Sequence, residues 1–62
     1  MNRAERLDQA AIFADQAAEM ALKAKNLITE PEDEDERIEL HRAAMRLFGV
    51  AYVLEDKWDS VA

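Results

Sequence analysis

The stretch Thr29-Glu30-Pro31-Glu32-Asp33-Glu34-Asp35-Glu36 decides the fold. Pro31 has a fixed φ and no N–H, so a helix does not run through it, and the residue before it is pushed toward extended geometry. A proline is nevertheless tolerated in a first helical turn, and the acids after it favour the positive pole of a helix starting there. The segment is therefore a stop followed by a start.

Outward from it, residues 3–28 contain no Gly or Pro and are rich in Ala, Leu, Met, Glu and Lys. These side chains lose little rotamer freedom in a helix. Asn2 followed by Glu5 fits a capping-box variant, and Lys23 and Lys25 suit the negative pole. The spacing predicts one helix over about 3–28, roughly 40 Å long. An acidic turn follows over about 29–33, and a second helix over about 33–58 that ends near Trp58. Gly49, the one glycine, falls inside it and is expected to pack closely against a neighbouring backbone. The 62 residues form a single all-α domain, a helical hairpin of two long antiparallel helices.

At about 100° per residue, Ala10, Ala14, Ala17, Ala21, Ala24 and Ile28 fall in one stripe of the first helix. Phe13, Met20 and Leu27 flank it on one side, and Leu7, Ala11, Ala18 and Leu22 on the other. The polar wedge holds Glu5, Asp8, Asp15, Glu19 and Asn26. In the second helix Leu40, Leu47, Leu54 and Val61 form one row, Ala44, Ala51 and Trp58 another, and Ile38, Met45 and Tyr52 a third. One neighbour needs an apolar arc of about 100°. These arcs are about twice as wide, so each helix is expected to touch two neighbours. Two hairpins pairing into an antiparallel four-helix bundle supply them, and a symmetric homodimer is the commonest way to build one. Its expected core is Ala14, Ala21, Leu40, Ala44, Leu47, Ala51 and Leu54. The proposed register sets Ala14 opposite Ala51 and Ala21 opposite Ala44. Ala10, Ala17 and Ala24 then face Leu54, Leu47 and Leu40.

A chain this short buries only about 60% of the surface its unfolded form exposes, which also favours a partner subunit. Without cysteine it has neither disulfides nor thiolate metal ligands. Catalytic constellations are missing. Ser60 is the only serine and lies far along the hairpin from the only histidine, His41. A di-iron bundle needs Glu-x-x-His, and Ile38 stands where that Glu belongs. The acidic run lacks the central Gly and twelfth-position Glu of a calcium loop. No enzyme activity, cofactor, metal or small-molecule substrate is expected. His41 reads as a boundary residue beside the core.

Net charge is −6, equal to the contribution of Glu30, Glu32, Asp33, Glu34, Asp35 and Glu36, since the other eight acids balance the eight Lys and Arg. A basic patch for DNA is absent. So are an apolar membrane span, a Lys/Arg-rich membrane-surface face and a signal-peptide core. A cytoplasmic protein is the expectation. Glu32, Asp33, Glu34 and Asp35 are candidates for docking a basic partner, or else a solvated helix start. Ile38, Met45 and Tyr52 are a contact row if the dimer leaves them uncovered.

Arg6, Gln9, Phe13, Gln16, Met20 and Lys23 share one side of the first helix at 3–4 spacing. An aromatic between amides, with cations at both ends, suits phosphates and bases. The same pattern also fits the edge of a core, with Phe13 and Met20 buried and the polar residues flanking. Leu40-His41, Ala44 and Leu47-Phe48 resemble the Leu-His-x-x-Ala-x-x-Leu-aromatic run of the Rop family of plasmid RNA-regulating proteins, whose subunits are helical hairpins of about this length. The resemblance implies a dimeric four-helix bundle with alternating small and large core layers. It also implies an RNA face on the paired first helices, carried here by Phe13, Gln16 and Lys23, then by Gln9 and Arg6. The Phe-to-Gln spacing is three here and four in the family, and the Pro-containing acidic turn differs.

The expectation is a small non-enzymatic regulatory or adaptor protein, a homodimeric binding module for a protein partner. The alternatives are a Rop-like RNA-binding modulator and a bare dimerisation element.

Overall fold

The computed structural model describes residues 1–61, and over these the chain is a helical hairpin. Helix α1 spans Arg3–Leu27, a 3₁₀ turn spans Pro31–Asp33, and helix α2 spans Glu34–Val61. Asn2 caps α1: its side-chain oxygen accepts the Glu5 N–H at 2.8 Å. That satisfies one of the N–H groups a helix start leaves free. At the other end Ile28 turns extended, and its N–H donates to the Lys25 carbonyl at 3.1 Å. Glu30 is extended at φ −83°, ψ 142°, as a residue before proline must be. Asp33 N–H closes the turn on Glu30 O at 3.0 Å. Glu32 and Asp33 thus sit within the first helical turn.

Three expectations change. Helix α2 continues past Trp58 to Val61, because no Gly or Pro follows Trp58; Ser60 Oγ donates back to the Asp56 carbonyl at 3.2 Å. Gly49 packs against no backbone within the chain: a Cβ built there meets nothing within 4 Å. The hairpin seam also runs one residue further along α1 than expected. Ala11 and Ala18 are buried, while Ala10 and Ala17 are exposed.

On α2 the buried residues are Ala44 and Ala51. The alanines covered on α1 are Ala11 and Ala18, and not the Ala14 and Ala21 expected to face Ala51 and Ala44. Alanine at heptad spacing on both sides lets the backbones approach closely. Ala14, Ala21, Leu40, Leu47 and Leu54 are only half-buried.

The hairpin is one helix layer thick, with Cα extents of 47 × 15 × 10 Å. Its radius of gyration is 14.4 Å, against about 11 Å for a compact domain of this length. Its accessible surface is 4710 Å², where a folded monomer of this mass exposes about 4,100 Å². Among the described residues the fully buried apolar side chains are four alanines, and no large side chain is fully covered. Each buried methyl contributes only about 0.8 kcal/mol, so this core is thin.

Candidate interaction surfaces

A slab of two antiparallel helices has two broad faces. Angular position places the residues of α1 on one side or the other of the Ala11–Ala18 seam. The reversed direction of α2 decides which of its rows shares each face.

The first face, face A, carries Ala10, Ala14, Ala17, Ala21 and Ala24 from α1. From α2 it carries Leu40, Ala43, Leu47, Val50 and Leu54. Across its middle there is no charge on either helix. Alanine is too short to cover leucine, which is why the three leucines stay half-open. A depression of about 540 Å³ runs along its outer edge, lined by Ala43, Leu47 and Val50 together with Glu39, Arg42 and Arg46. Arg42 Nη1 donates to Glu39 at 3.0 Å along that edge. At the turn end Leu40 lies among Asp35, Glu36 and Glu39.

The second face, face B, differs. From α1 it receives the polar wedge, with Asp8 and Asp15 half-buried and Glu5 and Glu19 exposed beside Ile12. From α2 it receives His41, Met45, Phe48 and Tyr52. Lys25 and His41 define its turn end, where Lys25 Nζ donates to His41 Nδ1 at 3.3 Å. A lysine ammonium has only donors, so that imidazole nitrogen accepts. Arg37, Ile38 and Arg42 line a separate depression together with Lys25 and His41. His41 is a surface residue held by Lys25, at the boundary of the core.

The stripe of Arg6, Gln9, Phe13, Gln16 and Lys23 lies on the outer edge of α1, away from α2. Phe13 is 62% exposed and Met20 61%, so the hairpin itself leaves this stripe open. Gln9 is half-buried and Gln16 and Lys23 are exposed. Arg6 is drawn to the chain start, its Nη1 donating to the Met1 carbonyl at 2.9 Å. At the turn, Glu32, Glu34 and Asp35 are exposed and Asp33 is half-buried. No ion pair engages any of the four among the described residues.

Sequence reasoning placed the acidic wedge and the Ile38–Met45–Tyr52 row separately and missed that the fold sets them side by side. The signal was available: the wheel angles of both helices, combined with the antiparallel turn. Among the described residues no cluster of His, Cys, Asp or Glu could hold a metal ion, and no helix is long and apolar enough to cross a membrane. Comparison of the chain with protein-family models, with curated proteins and with solved structures finds no match.

Proposed function

We propose that this chain is a non-enzymatic regulatory or adaptor module of the cytoplasm. Two copies stack through face A into an antiparallel four-helix bundle, and the bundle binds a protein partner. The observation that carries the proposal is the state of Leu40, Leu47 and Leu54: half-open, in line, and beside a row of alanines on the neighbouring helix. A second copy covers each leucine from above and gives each helix its second neighbour.

Charge orients the stack. The six acids of residues 30–36 sit at the turn end, whereas the open end is mixed, with Arg3, Arg6 and Lys57 among Glu5, Asp8, Glu55, Asp56 and Asp59. Turns side by side would crowd twelve acids at one end. With turns at opposite ends, each acidic turn lies beside the open end of the other copy. The isologous symmetry of a two-fold dimer accommodates that arrangement.

Light scattering at low micromolar concentration tests the dimer. The expected mass is twice the 7.1 kDa of one chain. A folded monomer there overturns the proposal. For the partner, capture from native extract should survive nuclease treatment.

Exposure of Phe13, together with Gln16 and Lys23, supports a second function, the RNA binding that the Rop resemblance implies. It predicts salt-sensitive binding of structured RNA that weakens in a Phe13→Ala, Lys23→Ala variant. Equal binding by that variant removes it. A chain that captures neither protein nor RNA is a dimerisation element alone.

A further inference from the structure

Resting on the stacking of face A against a second copy, we infer that face B is the docking surface for a cationic amphipathic helix of a partner protein. The occupant lies over Ile12, Met45, Phe48 and Tyr52, with its positive charges toward the open end of the hairpin.

The floor is apolar and uncovered. Tyr52 is 72% exposed, Met45 and Ile12 are exposed, and Phe48 is half-buried. At 100° per residue Gly49 falls on the outer edge of α2, beside the floor and not within it. A glycine inside a helix costs about 1 kcal/mol relative to alanine. Nothing in the chain accounts for it, since a Cβ there meets only open space.

The rim is acidic. Asp8 and Asp15 are half-buried, with Glu19 beside them on α1 and Asp59 across on α2, while Asp56 stands further out. Among the described residues none of these carboxylates takes part in an ion pair or a side-chain hydrogen bond; the ion pair present is Arg42–Glu39. Carboxylates half-withdrawn from water beside an apolar surface are stabilised by an incoming cation. The basic groups of face B, Lys25 and Arg37, gather at the turn end with His41. The cations of the occupant therefore match the open two-thirds.

The same charges rule out the competing occupants. A second copy laid on face B sets its own Asp8, Asp15 and Glu19 against the first set, and RNA phosphates meet the same acids. A helix presenting apolar anchors between lysines or arginines satisfies both floor and rim, the helix-in-groove mode of recognition. About 18 residues, roughly 27 Å, cover the surface.

The test uses the full chain and a synthetic Leu/Lys amphipathic peptide of about 18 residues. A Leu/Glu peptide of the same apolar pattern is the control. Calorimetry should give one Leu/Lys peptide per chain, bound at least about tenfold more tightly than the control. Tyr52→Ala with Met45→Ala should weaken binding about tenfold or more, and so should Asp8→Asn with Asp15→Asn. Undiminished binding by both variants overturns the site. So does binding lost only when Glu32 and Glu34 become Gln. Light scattering on the same samples separates the two proposals. A complex of two chains with two peptides supports face B, and a complex of one chain with one peptide means that the peptide took face A and overturns it. If the free chain is already monomeric, the dimer fails by itself, while the Tyr52 and Asp8 variants still decide face B.

Discussion

Both broad faces of this hairpin carry apolar residues, more of them on face A, and the faces differ in what surrounds them. Face A sets a row of alanines beside a row of leucines with no charge across its middle, so an uncharged copy of the same surface can lie on it. Face B sets Met45, Phe48 and Tyr52 beside a helix edge whose polar residues there are acids. Its self-contact is repulsive and a cationic partner complements it. On the proposed stacking, one helix pair would separate assembly from recognition, and the separation would come from which way each wheel is turned.

The largest expected effect comes from a charge placed on each face in turn. Ala17 is exposed in the hairpin, so Ala17→Glu costs a single chain little. In the stacked dimer the carboxylate is buried without a partner, at about 3–5 kcal/mol. Sedimentation should show the monomer, with loss of helical signal on dilution. The mirror change, Ile12→Glu on face B, should leave the dimer mass unchanged. If both variants dissociate, or neither does, the faces are not distinct.

Leu47→Ala is next. A side chain covered by a second copy should cost about 2–5 kcal/mol on truncation. In a lone hairpin, where Leu47 is only half-buried, the loss should be well under the lower figure. Urea unfolding at two protein concentrations distinguishes the cases, because only the dimer gains stability as concentration rises.

Much of this was legible in the residues alone. Pro31 and its acids marked the turn, Asn2 marked the first cap, and the wide apolar arcs asked for more neighbours than one hairpin offers. The position of the seam was not legible, for a physical reason. Ala10 and Ala11 are adjacent alanines, as are Ala17 and Ala18, so a seam rotated by one residue has the same composition. Only packing against α2 chooses between them. The juxtaposition of Asp8 and Asp15 with Tyr52 was hidden likewise, because it depends on the direction of the second helix.

Gly49→Ala sharpens the comparison with an opposite sign. The site is open and helical, so the added methyl should stabilise the protein by about 0.8–1 kcal/mol. For a domain of this size that raises the melting temperature by about 4–8 °C. On the outer edge of α2 the same methyl lies off the floor of face B and should leave Leu/Lys peptide binding unchanged. A large loss of peptide affinity would place the occupant over the outer edge of α2 and not on face B.

The smallest effect is the most discriminating. Tyr52 is a large apolar residue on a thinly packed protein, and were it part of the stacked core its truncation would cost as much as that of any buried aromatic, about 3–5 kcal/mol. On face B it is largely open to solvent. Tyr52→Ala should therefore change the unfolding free energy by no more than about 0.5 kcal/mol. The dimer mass should not change either. Set against Leu47→Ala in the same urea series, the contrast measures which face the second copy covers. A large loss at Tyr52 with a small one at Leu47 would mean that the hairpins stack through face B, despite the acids there.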